Sequence, residues 1–288
     1  MRVKAAAKIN LALDVTGKLP NGYHTIESVF QTVGLYDEVS VELTDEGIFL
    51  TCEVPESFAQ SDEIPCDERN IAYKTARKFL DENGIDLGCR IHIKKGIPSQ
   101  AGMGGGSTDA AAVIYCLSAL TGKSFSTPEK IGADVPFFLT GGTAYVEGIG
   151  EKITPIADFS GKILVIAKGS EGVSTVEAYN AVDSLENPVH PDVQGLIRAI
   201  SDNSDEVYSC IGNLFEGAIH LAEVDDIKAK MTEIGASAAC MTGSGSAVFG
   251  IFNEYENAVE CAQKLEAAGY FSAVCETVGN AFLEMVED

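Results

Sequence analysis

Ile97-Pro98-Ser99-Gln100-Ala101-Gly102-Met103-Gly104-Gly105-Gly106-Ser107-Thr108-Asp109-Ala110-Ala111-Ala112 is the stretch around which the whole chain is organised. A β-like run from Cys89 to Lys95 feeds into it, and a helix-like run from Thr108 to Leu120 leaves it. Four glycines stand within five residues, followed by two hydroxyls, Ser107 and Thr108. Without a Cβ, a glycine lets backbone N–H groups turn inward and approach a ligand closely. A helix starting just beyond adds unpaired N–H donors and the positive end of its dipole. These features predict an anion site, most often one for phosphate. A plain strand-to-helix turn needs neither so many glycines nor the two hydroxyls. The P-loop is excluded, because it places a Lys after its last glycine and Gly106 is followed by Ser107. The dinucleotide fingerprint, counted from Gly102, fails at Ser107, where it requires a glycine.

Composition narrows the classes further. The 288 residues suffice for two ordinary domains or one large one, and 45% of them are hydrophobic without any run long enough to span a membrane. Met1-Arg2-Val3-Lys4 opens what reads as a strand and lacks the apolar core of a signal peptide. A net charge of −23 argues against a general nucleic-acid binder, which needs a basic stripe. It also means that a phosphate site must be built locally, from backbone donors, a few cations and Mg²⁺. Eight cysteines are scattered without a C-x-x-C pair, which reads as reduced cytoplasmic thiols rather than a disulfide framework or zinc site.

Along the chain, Lys8 to Val15 alternates, with Ile9, Leu11, Leu13 and Val15 expected on one face and Lys8, Asn10, Ala12 and Asp14 on the other. A cation and an amide two residues apart suit a substrate-facing strand; a solvated strand face gives the same pattern. Gly17 to Gly22 is turn material, followed at once by Tyr23 and His24. That pair could hold a flat heterocycle or merely top a hairpin. Further strands are expected at Val29–Val33, Val39–Leu43 and Ile48–Cys52, a loop over Pro55–Pro65, and a helix over Asn70–Asn83. Asp109 is expected in the first turn of the helix after the glycines, where a carboxylate suits the dipole. In Ile131-Gly132-Ala133-Asp134-Val135-Pro136, an acid is set among apolar residues beside a proline. It is either a helix cap or a base held in a dry cleft and paired with a Lys.

Beyond residue 155 the pattern becomes a sheet with helices on one face, a second α+β unit. Its strands are expected at Ile163–Ala167, Ala236–Met241, Ser246–Phe252 and Phe271–Glu276. Its helices are expected at Thr175–Leu185, Val193–Ser201, Glu206–Leu221, Ile227–Ile234 and Tyr255–Ala268. Gly243-Ser244-Gly245-Ser246 is a second glycine turn which, alone, is an ordinary hairpin.

Taken together, these motifs resemble the GHMP kinases. The loop P-S-Q-A-G-M-G-G-G-S-T at 98–108 is similar to their phosphate loop. K-I-N-L-A-L at 8–13, G-K-L-P-N-G-Y-H at 17–24, G-A-D-V-P-F-F at 132–138 and M-T-G-S-G-S-A-V-F at 241–249 are similar to the branch that acts on cytidine diphosphate methylerythritol. The resemblance implies an α+β, two-domain fold: a ribosomal-S5-like N-terminal domain over 1–155, a ferredoxin-like C-terminal domain over 156–288, and an active site between them. It implies ATP-dependent phosphorylation of the 2-hydroxyl of that compound, in the non-mevalonate route to isoprenoid precursors. By the same resemblance, Asp134 would take the hydroxyl proton and Lys8 would orient the hydroxyl and stabilise developing charge. Asn10 would assist at the substrate; Tyr23, His24 and Tyr179 would hold the cytosine. Pro98, Ser99, Gln100, Ala101, Gly102, Met103, Gly104, Gly105, Gly106, Ser107 and Thr108 would wrap the ATP phosphates, with Asn70 near the adenine. Mg²⁺ would accompany ATP, with no protein ligand assigned. The expected partner is this small molecule, with no nucleic acid or membrane, and the expected state is a cytoplasmic monomer or homodimer. A kinase of the homoserine or mevalonate type and a non-catalytic nucleotide binder are the competing readings. One departure stands out: Thr121 to Ile131 is about two helical turns shorter than the family's usual segment, just ahead of Asp134.

Overall fold

The computed structural model describes residues 1–55 and 64–285. Of the loop expected over Pro55–Pro65, residues 56–63 lie outside that range. Two sheets form the frame. The first is built on two long antiparallel strands, β1 (Arg2–Lys18) and β2 (His24–Thr44), joined by the glycine turn. Beyond them come β3 (Ile48–Glu53), β4 (Gly88–Lys94), β5 (Thr143–Gly148) and β6 (Lys152–Pro155). The distal half of β2 pairs with β4 and its proximal half with β5, so β2 serves two neighbours along one edge. Helices α1 (Ile71–Glu82), α2 (Gly105–Thr121) and α3 (Val135–Thr140) bury their apolar faces against this sheet.

The second sheet has the order β11-β7-β10-β9, all antiparallel: β7 (Ile163–Lys168), β9 (Ala238–Met241), β10 (Val248–Phe252) and β11 (Phe271–Glu276). Four helices precede β9: α4 (Thr175–Val182), α5 (Val193–Ser201), the short α6 (Val207–Cys210) and α7 (Ala222–Glu233). One more, α8 (Tyr255–Ala267), lies between β10 and β11. Helices α7 and α8 cover one face. The other is not bare, as a helix-on-one-face unit would leave it: Leu164, Ile166, Phe249 and Ile251 pack with α5 and with Ile9, Leu11, Val29 and Val33 of the first sheet. Two short strands from the second half, β8 (Gly212–Asn213) and β12 (Phe282–Glu284), add to the first sheet by pairing with β1.

Several expectations are corrected here. The four apolar residues of the first strand do not share a face. A bulge between Asn10 and Ala12 inverts the alternation. Ile9 and Leu11 therefore enter the core between the sheets, while Leu13 and Val15 enter the core under α2. The same bulge leaves Leu13 beside Lys8 and Asn10. Helix α2 starts at Gly105, three residues before the predicted start, so Asp109 is its fifth residue, buried, and no acid lies in its first turn. Leu120, near the end of α2, is exposed.

The helix expected over Glu206–Leu221 is instead α6, β8 and a 3-10 turn at Leu214–Gly217. Asn213 breaks it. Its Oδ1 accepts from Phe215 N–H, and its Nδ2 donates to the carbonyls of Met241 and Gly243. All eight cysteines are free thiols, as expected.

Candidate active site

A cleft of about 690 Å³ opens where the two sheets meet. Lys8, Asn10, Gly102, Gly104 and Asp134 line one part of it, and Tyr23, His24, Tyr179 and Phe215 another. Lys8, Asn10, Tyr23, His24, Gly102, Gly104, Asp134 and Tyr179, all singled out in the sequence, thus converge from segments more than 160 residues apart, while Asn70 and the rest of 98–108 do not line this cleft.

The glycine loop forms the wall toward the second sheet. Gly102 and Gly104 both adopt left-handed backbone angles, φ 70° and 73°. Neither tolerates a side chain. A Cβ at Gly102 would fall 2.1 Å from the carbonyl oxygen of Thr242, and one at Gly104 would fall 2.7 Å from the Phe138 ring. Gly104 is the N-cap of α2, and no side chain caps it, so the first N–H groups of the helix are left for an anion. Ala101 and Met103 turn their side chains into the core, so only their backbone is offered to the cleft. Pro98 is buried, and Ser99, Ser107 and Gly105 are half-buried. Gln100 and Gly106 are exposed, Gln100 with φ 50°. The Thr108 hydroxyl is buried, with no hydrogen-bond partner among the described residues.

The second glycine turn, between β9 and β10, presses directly on the first. A Cβ at Gly243 would lie 2.8 Å from the Gly102 oxygen, and the Ala247 N–H donates to Ala101 O at 3.3 Å. It is a hairpin, and it also forms a wall against the first glycine loop.

Lys8 is held from several sides. Its backbone N–H donates to Met103 O at 3.0 Å, and its ammonium donates to Asn10 Oδ1 at 2.7 Å and lies 4.7 Å from the centre of the Phe30 ring. Asp134 Oδ2 is 3.9 Å from the ammonium. Burial lowers the Lys8 pKa, and the Asp134 charge partly restores it. Asn10 has both acceptor positions of its Oδ1 and one of its two amide protons engaged. It takes the Lys8 and Thr242 donors on Oδ1 and gives Nδ2 to Ser28 Oγ, which donates to Ala12 O. It therefore orients Lys8.

Asp134 occupies the N-cap position of α3 but makes no side-chain cap hydrogen bond, which leaves its carboxylate to the cleft. The shortened segment ahead of it contains one 3-10 turn, Pro128–Lys130, and still delivers Asp134 to Lys8.

At the aromatic end, His24 stacks on Tyr179, with centroids 4.6 Å apart and planes at 14°, and Tyr179 meets the edge of Phe215 at 5.0 Å. Tyr23 is 60% exposed at the rim. Burial first, then the Asp134 charge, pushes the Tyr179 phenol up to about 12. Asp183, just past α4, accepts from His24 Nε2 at 2.7 Å and from Lys18 Nζ at 2.5 Å, tying the turn to the helix across the cleft. Sequence reasoning missed Asp183, Phe215 and Asn213, since none sits in a glycine turn or alternating pattern, and it gave Thr242, within the 241–249 motif, no role of its own. Asn70 caps α1, taking Ala72 N–H and donating to Pro65 O. Its neighbour Ile71 lies beside Gly106, which sets Asn70 near the loop with one amide proton left.

A glycine loop over a buried lysine and a half-buried aspartate, in a cleft where two sheets meet, fits the GHMP kinase class. The family model described as GHMP kinases N terminal domain matches residues 70–142, and that described as GHMP kinases C terminal matches 183–270. The chain belongs to the 4-diphosphocytidyl-2-C-methyl-D-erythritol kinase family. It is 40% identical over 267 residues to the kinase so named from Clostridium acetobutylicum, covering 90% of this chain and 93% of that protein. It is 42% identical over 270 residues to that of Clostridium botulinum strain Loch Maree, covering 91% and 94%. A crystal structure of 4-(cytidine 5'-diphospho)-2C-methyl-D-erythritol kinase superposes with TM-score 0.83 at 30% identity, covering 97% of this chain and all of that one. Homoserine kinase from Cytophaga hutchinsonii, at TM-score 0.74 and 20% identity over 98% of this chain and 95% of its own, shares the fold.

Proposed function

We propose that this chain transfers the γ-phosphoryl group of ATP to the 2-hydroxyl of 4-(cytidine 5'-diphospho)-2-C-methyl-D-erythritol, a step of the non-mevalonate route. One observation carries the mechanism: Lys8 Nζ and Asp134 Oδ2 stand 3.9 Å apart in a single cleft, with the glycine loop on one side and the aromatic cluster on the other. Phosphoryl transfer is chiefly positioning and charge stabilisation, with a carboxylate to receive the nucleophile's proton. Asp134 receives the proton of the 2-hydroxyl. Lys8 spends one donor on Asn10 and directs the others at Asp134 and the hydroxyl. Residues Pro98 to Thr108 wrap the phosphates, the donors being backbone N–H groups between Ser99 and Ser107, since Pro98 has none and Thr108 gives its own to Gly104 O, with Asn70 beside the adenine. Tyr23, His24 and Tyr179 hold the cytosine, which is the support for a cytidylyl substrate over a small alcohol such as homoserine.

Mg²⁺ accompanies ATP in this reading. No group of three or more His, Cys, Asp or Glu that could hold a metal occurs among the described residues. Mg²⁺ commonly takes most of its shell from phosphates and water, with one or two protein donors. The unpartnered Thr108 hydroxyl, beside Ser107 at the loop's exit, fits that need. We further propose domains over 1–155 and 156–288, with β8 and β12 crossing back. The free thiols suit the cytoplasm, and no helix among the described residues is long and apolar enough to cross a membrane.

The test is a coupled ADP-release assay with Mg-ATP and a panel of cytidine diphosphate methylerythritol, methylerythritol phosphate, mevalonate, homoserine and galactose. Turnover with the cytidylyl compound alone is the expected result. Turnover with another alcohol instead would remove the cytosine pocket from the reading, and no turnover at all would leave a nucleotide-binding protein.

A further inference from the structure

Away from the reacting groups, one buried cluster of charge has no part in the chemistry above. Lys95 lies one residue past β4, nearly fully buried, with its ammonium between two buried carboxylates. It donates to Asp37 Oδ2 on β2 and, at 2.8 Å, to Asp109 Oδ2 on α2. Asp37 Oδ1 accepts the backbone N–H groups of Gly96 at 2.7 Å and Ile97 at 2.9 Å. Those are the two residues immediately before Pro98, where the glycine loop begins. Asp109 is the residue immediately after Thr108, where the loop ends. The ammonium also lies under the loop itself: a Cβ at Gly105 would be 3.5 Å from Lys95 Nζ.

Three buried ionisable groups are costly unless each is paired. Burial depresses the Lys95 ammonium, but Asp109 and Asp37 outweigh it and hold its pKa above the ordinary lysine range. Burial pushes the Asp109 carboxyl well above the usual range, and Asp37 adds to this against the pull of Lys95. Lys95 bridges the two acids through their Oδ2 atoms, Asp37 Oδ1 is held by two backbone N–H groups, and Asp109 Oδ1 has no hydrogen-bond partner among the described residues. Such a cluster fixes geometry more than it adds stability, because apolar side chains of like volume would fill the space at no greater cost.

We propose that Asp37, Lys95 and Asp109 are positioning residues for ATP: a buried staple that draws the entry and exit of the glycine loop together and so sets the spacing of its N–H donors. This rests on reading residues 98–108 as the ATP phosphate loop. The staple acts on nucleotide binding alone, since neither Lys8 nor Asp134 touches it.

The experiment measures KM for ATP, KM for the alcohol substrate, kcat, and ATP binding by calorimetry in a set of full-length variants. Asp37→Asn keeps an acceptor for Gly96 and Ile97 but turns an amide against the Lys95 ammonium. It should raise KM and Kd for ATP at least tenfold, with the alcohol KM and kcat within threefold. Lys95→Met should do the same. Asp109→Asn offers Lys95 the same acceptor without a charge and should behave as the unaltered enzyme, whereas Asp109→Leu should not. The proposal is overturned if Asp37→Asn leaves ATP affinity within twofold, or if both KM values and kcat deteriorate together. It also fails if Asp109→Asn is as damaging as Asp109→Leu, a comparison that decides the matter even where the Asp37 variant does not fold. Gly104→Ala separates the two readings. If it leaves ATP affinity intact, the phosphate loop itself is misassigned; if it weakens ATP and Asp37→Asn does not, only the staple is lost.

Discussion

Replacing Gly102 by alanine should damage activity and stability together, by amounts that follow from two distances and one angle. The residue holds φ at 70°, a left-handed conformation that costs a residue with a Cβ about 1–2 kcal/mol. The added carbon would sit 2.1 Å from Thr242 O and 3.2 Å from Gly243 Cα, where 3.4 Å is the start of ordinary contact. Both are backbone atoms of the opposing turn, so no side chain can swing away. The two loops must part by roughly an ångström, at an overpacking cost of about 1–3 kcal/mol. The whole penalty is then on the order of 2–5 kcal/mol. A misplacement of about 1 Å in a catalytic arrangement can cost on the order of 100-fold in rate, and that loss is expected in kcat/KM for ATP. Gly122→Ala is the control. Gly122 is also left-handed, at φ 67°, but a Cβ there would meet nothing within 4 Å. It should lose only the conformational part, with kcat/KM unchanged. Urea denaturation and the coupled ADP assay on both variants decide it. A Gly102→Ala enzyme matching Gly122→Ala in both would refute the argument that the two loops constrain each other.

Further outcomes are expected. Asp134→Asn should lower kcat by about 10²–10⁴-fold, the usual contribution of a positioned base, with ATP affinity within twofold; unimpaired turnover would remove Asp134 from the mechanism. Lys8 should lose its proton below the ordinary lysine value of 10.5, because burial disfavours its charge, so kcat should fall with rising pH before that point. NMR titration of lysine side chains checks this directly, and Asp134→Asn should lower the Lys8 value further by removing the opposing charge. Tyr179→Ala removes the His24 stack and the Phe215 edge contact, worth about 0.5–1.5 kcal/mol each, so KM for the cytidylyl substrate should rise roughly tenfold. An equal rise in KM for ATP would argue that Tyr179 supports the cleft as a whole.

Where the chain used local signals, the sequence was readable. Glycines at 102, 104, 105 and 106 announced a backbone cradle because no other residue type offers that freedom. Asp134 among apolar residues, two before Pro136, announced either a helix cap or a base in a cleft, and it stands at the cap position without making the cap hydrogen bond. What escaped was set by distant partners. The bulge at Leu11 depends on how β1 meets β2, and nothing in K-I-N-L-A-L-D-V marks it. Asp109 looked like a dipole partner because its own helix suggested so; only the fold reveals Lys95 and Asp37 underneath. The run Glu206–Leu221 carried helical spacing, but Asn213 finds better partners in Met241 O and Gly243 O than a helix could give it. Asp183 reached its role through the docking of α4 over a turn 160 residues earlier, which no periodicity encodes.

The return of β12 to β1 has a consequence for biogenesis. Val3, Lys4 and Ala5 leave the ribosome roughly 280 residues ahead of their strand partners, Glu284, Leu283 and Phe282. At a synthesis rate of ~5–20 residues per second, that edge waits roughly 15–60 s for its neighbour. An unpaired strand edge is a template for pairing with other chains, so the nascent protein carries an adhesive margin until residues 282–284 have been made. Truncation near residue 280 should therefore yield a chain with its whole cleft sequence intact that is caught by chaperones or aggregates, because the seam that closes its first sheet is made only after every cleft residue.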